Sequence, residues 1–415
     1  MSETLTNTQI IIKDDNGQIH TSKSLCQQDE TRLNNMVKLM NLILQTPNSA
    51  DFINTLVSED LLFSLMPSYK RAERFSSTKT SIITPSFLFV KIDNSIYYGG
   101  TQTLDLTDSS SWDNPSIDYT VADNRAGKDF YIYAVQNSDT SLKFVISANS
   151  TVPNGYTADN SRKIGGFHCL CLSVGTIANH PASGYLTGDI IPNSVWDLSF
   201  KSKNLYGNEG QAYIDSLDSW AFIYLPSWDG SKIVSKFGGV IIDGASSPAM
   251  DGEQFAEFAG LVGGRLPYRD EFKVFAFGSN QMTNIKNSAD PNTTGGHVDV
   301  NNRRMISDYF IEDCCGVLWQ WGADTYEAMS TSWSGNSWMD GYSWQTVPTY
   351  STIGDSNHRQ LGSCVGLLRR SLLGGNWGNG SHCGSRCVAC NAFGSHVASD
   401  CSARLLFGTK RNEEK

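Results

Sequence analysis

Four cysteines and two histidines crowd the carboxyl end of the chain: Cys383, Cys387, Cys390 and Cys401, with His382 and His396 close by. Thiolates and imidazoles are ligands of zinc, and paired thiols can close disulfides. The C-x3-C-x2-C spacing is loose for zinc, because it lacks the paired C-x2-C arrangement of a structural site. Disulfides are disfavoured in a chain that folds in a reducing cytoplasm. Small, half-buried thiols are the favoured reading, with zinc and disulfides formed after release as alternatives. No G-x-S-x-G elbow, H-E-x-x-H helix or P-loop occurs in the sequence. No catalytic residue, metal or cofactor is therefore expected.

The segment around these cysteines has an unusual alphabet. Residues 361–409 contain no Lys, Glu, Gln or Met. Those types make up 51 of the 415 residues, so a 49-residue window of average composition would hold about six. Codons ending in C cannot encode these four or Trp, yet they can encode Gly, Asn, His, Ala, Phe and Asp. The stretch from Leu373, GGNWGNGSHCGSRCVACNAFGSHVASDCSARLLFG, is written in that set with Trp377 as its one exception.

The block resembles the variable region of proteins diversified by retroelements, in which adenines of asparagine-type codons are randomised. Among these it looks most like the major-tropism-determinant family, whose members carry a C-type-lectin fold. Gly374, Gly375, Asn376, Trp377, Gly384, Ser385, Arg386, Ala403 and Arg404 match the family's fixed points. Between them, Gly378, His382, Ala389, Asn391, Ala392, Phe393, His396, Ala398 and Asp400 look substituted. The resemblance implies that these nine contact a ligand, within a variable region spanning about residues 373–404. A surface that must change without unfolding needs exposed variable side chains over a fixed frame. Trp319, Trp321, Gly374, Gly375, Trp377, Arg386 and Arg404 are assigned to that frame. An indole buries a large area, and a guanidinium can bond several loop carbonyls at once.

The same resemblance implies a host cell-surface protein or glycan as receptor and a homotrimer whose copies add avidity. It also implies a tail-fibre attachment protein as a partner, and a place at a virion's tail-fibre tip. The motif GRLPYRDEF, with the strand Gly316-VLWQWG, resembles the signature shared with the formylglycine-generating-enzyme superfamily. That superfamily makes a copper-dependent oxidase the least-supported alternative, since the cysteines here sit inside the variable block. A calcium-dependent glycan adhesin is another alternative, although the sugar motifs E-P-N and W-N-D are absent.

Composition limits the rest. At 415 residues, 40% hydrophobic and 11% aromatic, the chain can build two or three cores. A formal charge of −10 without a basic stripe argues against nucleic acid. The sequence has no apolar run of 18 residues and no signal-peptide pattern, so no membrane insertion and cytoplasmic synthesis are expected.

The expected fold is α+β: a C-terminal C-type-lectin-like domain preceded by a small β-sandwich and a short helical N-terminal segment. Residues 1–75 carry a strand-like Ile10-Ile11-Ile12, a DDNG turn and two amphipathic helices from Asp29 to Pro67, packed on this chain or on neighbouring subunits. Residues 81–162 alternate with period two, as in SFLFVKI and DFYIYAV, and read as the sandwich. The lectin-like domain spans 163–410, with a boundary near Arg162. Its landmarks are a strand at Val195-WDLSF, another at Trp220-AFIYL, a helix capped by Gly263-Gly264, and a second helix from Arg269 to Phe277. Trp319 and Trp321 face one side of their strand, toward the core, and Gln320 the other. Residues 330–350 mix aromatics with Ser and Gly, as paratopes do, and either border the variable surface or cover the sheet. Thr293-TGGHVDVNN reads as a solvent loop with His297 as a turn residue.

Overall fold

The computed structural model describes residues 11–13, 19–21, 74–85, 88–93, 95–137, 141–246, 248–327 and 368–411. Near the N-terminus, β1 (Ile11–Lys13) and β2 (Ile19–Thr21) pair antiparallel. The two expected N-terminal helices and the aromatic segment 330–350 lie outside the described residues.

The middle region begins with β3 (Ser76–Ser77) and β4 (Ser81–Ile83), then the hairpin β5 (Leu88–Ile92) and β6 (Ser95–Gly99), then β7 (Thr103–Asp105). After a one-turn helix α1 (Ala122–Arg125) come β8 (Asp129–Gln136), β9 (Leu142–Ser147) and β10 (Ser161–His168). The inward residues Ile82, Leu104, Trp112, Phe130, Phe144 and Phe167 form one core between these layers. Period-two patterning predicts this packing of sheet on sheet.

The expected boundary at Arg162 falls inside β10, not in a linker. This strand pairs with β8 on one side and with β11 (Trp196–Asp197) on the other. The sheet then continues through β12 (Phe200–Ser202) to the chain's last strand. The Gly165-Gly166 pair marks close backbone approach: a Cβ at Gly166 would lie 2.7 Å from the Phe130 carbonyl and 2.8 Å from Trp196 Nε1. The single strand expected at Val195-WDLSF is a tight hairpin, because the Asp197 carboxylate accepts the Ser199 amide at 2.7 Å and turns the chain.

The C-terminal half adds β13 (Gln211–Ile214), β14 (Ser219–Phe222), the small pair β15 (Ser227–Trp228) and β16 (Ile233–Val234), and helix α2 (Gly252–Leu261). Then follow β17 (Gly264–Arg265), helix α3 (Arg269–Phe275), β18 (Trp319–Glu327), β19 (Leu368–Leu373), β20 (Val388–Phe393), β21 (Cys401–Ala403) and β22 (Leu406–Arg411). The nine-stranded sheet runs β13-β14-β22-β12-β11-β10-β8-β9 with β17 also on β22, and a second sheet runs β20-β19-β18-β21. Helix α2 starts at a capping box in which Asp251 accepts the Gln254 amide and the Gln254 side chain accepts the Asp251 amide. Gly263 ends that helix with φ +83°, whereas Gly264 begins a strand. The largest core packs Phe255, Phe258 and Trp220 beneath Trp321, which is fully buried. Trp319 is half-buried at the edge of the same cluster.

Candidate functional site

The site is built on β19, β20 and the two loops that flank β20, residues 374–387 and 394–400. Among the described residues, strand β20 is the edge of its sheet, with one neighbour, β19. An edge strand presents its outer rim and half its side chains to the surroundings.

A dense polar frame holds this edge in place. Arg404 is completely buried and its guanidinium bonds Gln320 Oε1 at 3.0 Å, the Phe222 and Ile223 carbonyls at 2.8 Å and the Glu312 carbonyl at 2.7 Å. Gln320 in turn donates to the Asp313 and Cys314 carbonyls, so one fork ties β14, β18 and the start of β22 together. On β19, Arg370 forms a two-toothed pair with Glu253 in the first turn of α2, both contacts at 2.6 Å. The Gly394 carbonyl accepts the amides of Gly252 and Glu253, using free donors of the helix N-terminus to anchor the loop after β20.

Two glycines let the chain leave β19. Gly374 and Gly375 take φ +89° and +83°, and a Cβ on them would meet the Cys314 carbonyl at 2.4 Å and Cys383 Sγ at 2.9 Å. The Trp377 amide donates to the Val317 carbonyl at 2.9 Å, and its indole covers the small cluster of Leu225, Ile285 and Leu318.

A bulge sets what faces outward. Arg370 pairs with Ala392 and Leu372 with Ala389, so Ser371 alone stands opposite Cys390 and Asn391. Two consecutive residues opposite one break the alternation, and both Cys390 and Asn391 are exposed.

The nine positions expected to contact a ligand separate into two groups. Gly378, His382, Asn391 and His396 are exposed. Phe393 is half-buried beneath the Arg369 guanidinium, 5.3 Å from ring centroid to Cζ. Ala389, Ala392 and Ala398 pack against the main core by one side. Asp400 departs most from its expected role: its carboxylate accepts the Asn376 side chain at 2.5 Å and its carbonyl accepts the Trp319 amide at 2.8 Å, so it braces the frame. Among the expected frame residues, Arg386 is exposed and is not a clamp on loop carbonyls, since the turn from Gly384 to Cys387 points it away from the interior.

The thiols at the carboxyl end are free, with Cys383 and Cys401 buried and Cys387 half-buried. Burial, with the neighbouring Cys387, pushes the Cys383 thiol up to about 12, which leaves it protonated and a poor nucleophile.

Within the stretch expected to be a solvent loop, residues 294–299 are buried or half-buried, while Thr293 and residues 300–302 are exposed. Thr294 is fully buried, and His297 Nδ1 meets the buried Asp313 carboxylate at 2.9 Å. Beside it Arg304 pairs with Glu312 at 2.6 Å, both nearly inaccessible. Polar, glycine-rich composition concealed this, because the charged partners Glu312 and Asp313 lie one bend further along the chain.

Residues 90–197 match a family described as the Mtd second domain, a segment that extends past Arg162. The tail fiber receptor-binding protein of Bordetella phage BPP-1 is 28% identical over 282 residues, 63% of this chain. The match spans 66% of that relative's length, just under two thirds. Among solved structures, the P3c variant of the major tropism determinant is 25% identical with a TM-score of 0.60, over 81% of this chain and 83% of that one. The I1 variant is 23% identical with a TM-score of 0.61, over the same shares of the two chains. In its middle domain and in its fold, the chain is a major-tropism-determinant-like protein.

Proposed function

We propose that this chain is a receptor-binding, host-tropism protein of a phage tail fibre, which engages the host surface through β20 and its flanking loops. The observation that carries the reading is the split among the substituted-looking positions. Gly378, His382, Asn391 and His396 are exposed, while their neighbours Asn376, Arg404 and Gly394 are bonded into the frame. Side chains at the exposed positions can change without touching a core contact.

Diversification by a retroelement, a homotrimer and a tail-fibre attachment partner belong to the same proposal. They rest on the codon-limited alphabet of residues 361–409 and on the relatives' tail-fibre setting.

The test exchanges Gly378, His382, Asn391 and His396 together and measures adsorption to a panel of bacterial hosts alongside thermal unfolding. Changed host range with a melting temperature within a few degrees of the parent is expected. Unchanged adsorption by a folded variant would remove the proposal.

A further inference from the structure

Three neighbouring strands bring Tyr326, Arg369 and Phe393 into one row. Tyr326 on β18 is the direct partner of Arg369 on β19, which is the direct partner of Phe393 on β20. Directly opposed residues share a face of the sheet, so the three side chains stand side by side across two strand spacings, about 10 Å. The adjacent residue Arg370 points to the other face, where it binds Glu253 of α2. The row therefore faces away from that helix.

Among the described residues, the face it shares is covered at one end only. Leu373 and Val388, a directly opposed pair further along β19 and β20, enter the second core with Phe272 and Cys314. At the other end Tyr326, Arg369 and Phe393 are half-exposed.

Charge singles out the middle member. Residues 368–409 carry Arg369, Arg370, Arg386, Arg404 and one acid, Asp400, in a chain of net charge −10. Arg370 is neutralised by Glu253 and Arg404 is buried among carbonyls. The Arg369 guanidinium lies over the Phe393 ring, and its Nε is buried with no hydrogen-bond partner. A guanidinium packed over an aromatic ring can take a carboxylate through two parallel hydrogen bonds from its planar fork. Exposed Arg386 belongs to the same local excess of positive charge.

We propose that the Tyr326–Arg369–Phe393 row binds an acidic sugar residue of the host-surface glycan, the guanidinium taking the sugar carboxylate and the flanking rings stacking on the pyranose. This rests on the receptor-binding function proposed above and names the ligand class. A row about 10 Å long accommodates one or two sugar rings, and aromatic faces give contact area at low entropy cost. Tyr326 and Arg369 lie outside the substituted-looking set whereas Phe393 belongs to it, so the guanidinium that takes the acid stays constant while one stacking ring varies with Asn391 and His396.

The experiment titrates the full chain with glucuronic-acid and N-acetylneuraminic-acid oligosaccharides and with their carboxamide counterparts, and measures adsorption to a panel of bacteria in parallel. At least tenfold tighter binding of an acidic sugar over its amide is expected. Arg369→Gln should lose at least tenfold, and Arg369→Lys, which keeps the charge without the planar fork, should fall between. Equal binding of acid and amide, or an unchanged Arg369→Gln, overturns the inference. So does competition by polyglutamate as effective as by the sugar, which would assign the row to an acidic polypeptide. Should Arg369→Gln fail to fold, the comparison of acid and amide on the parent chain and the Arg369→Lys variant decide. Bacteria bound without any effect of acidic sugars would sink this inference alone, whereas no adsorption to any host would sink the receptor-binding function itself.

Discussion

The side-chain amide of Asn376 donates to the carboxylate of Asp400 at 2.5 Å, joining the loop before β20 to the loop after it. Twenty-four residues apart in sequence, the two lie next to each other because Trp377 and Asp400 are bonded to the same strand approach, at Val317 and Trp319. One bond thus closes the base of the surface from which His382, Asn391 and His396 project.

Removing that bond should cost stability where changing the exposed positions does not. Asp400→Ala breaks a charge-assisted hydrogen bond and is expected to destabilise the chain by about 1.5–3 kcal/mol. Asn391→Ala and His396→Ala should stay within about 0.5 kcal/mol. Thermal denaturation of the three variants distinguishes them, and an Asp400→Ala as stable as the parent would return this residue to the contact surface.

Arg404 should tolerate no substitution. Its guanidinium satisfies three backbone carbonyls and Gln320 at a fully buried position. Arg404→Met leaves those acceptors unpaired and is expected to cost at least about 3 kcal/mol. Arg404→Lys should recover little, since a single ammonium cannot reach four acceptors arranged for a fork. Chemical denaturation with the slope held constant checks both.

Gly375 is limited by geometry rather than by charge. At φ +83°, with Cys383 Sγ 2.9 Å from where a Cβ would sit, Gly375→Ala is expected to destabilise by about 1–3 kcal/mol. Cys383→Ala removes the closest contact, but the Cys383 Cα and Cβ stay 3.1 and 3.3 Å from the added Cβ and the backbone strain persists. The double variant should therefore recover only part of the loss, and full recovery would show that the φ angle is not strained.

The His297–Asp313 pair gives a signed pH dependence. Burial alone would hold His297 below its usual range, but the Asp313 carboxylate at 2.9 Å outweighs it and raises the imidazole. For Asp313, burial acts to raise the carboxyl, and His297 with the Gly295 amide overcomes it and lowers the value. The histidine's contribution is fully present below its unfolded value of about 6.5 and is lost as pH rises through the higher folded value. The aspartate's contribution is present above about 3.9 and is lost as pH falls through its depressed folded value. His297→Gln should thus destabilise most near pH ~5.5 and least near pH ~9. Urea midpoints of parent and variant across that range provide the measurement, and a difference independent of pH would exclude a charged pair.

Much of the architecture is legible in residue order alone. Period-two patterning marks β5, β6, β8 and β9, whereas the Trp319-Gln320-Trp321 triplet predicts two indoles in the core and only Trp321 is fully buried. The capping box of Asp251 and Gln254 starts α2 at Gly252, ahead of its first apolar anchor Phe255. The boundary expected near Arg162 lies within β10, where the Gly165-Gly166 pair marks close approach between strands.

What residue types and codon-like alphabet determined was which segment would carry the surface, and that glycines, an asparagine and a buried arginine would frame it. Which side chains reach that surface was decided by tertiary structure. A bulge opposite Ser371 turns Cys390 and Asn391 outward together, and a partner 24 residues away draws Asp400 inward. Arg369 and Arg370 are chemically alike and adjacent, yet one meets Glu253 and the other meets Phe393. Strand pleat puts neighbours on opposite faces, and only the packed helix says which face is spoken for.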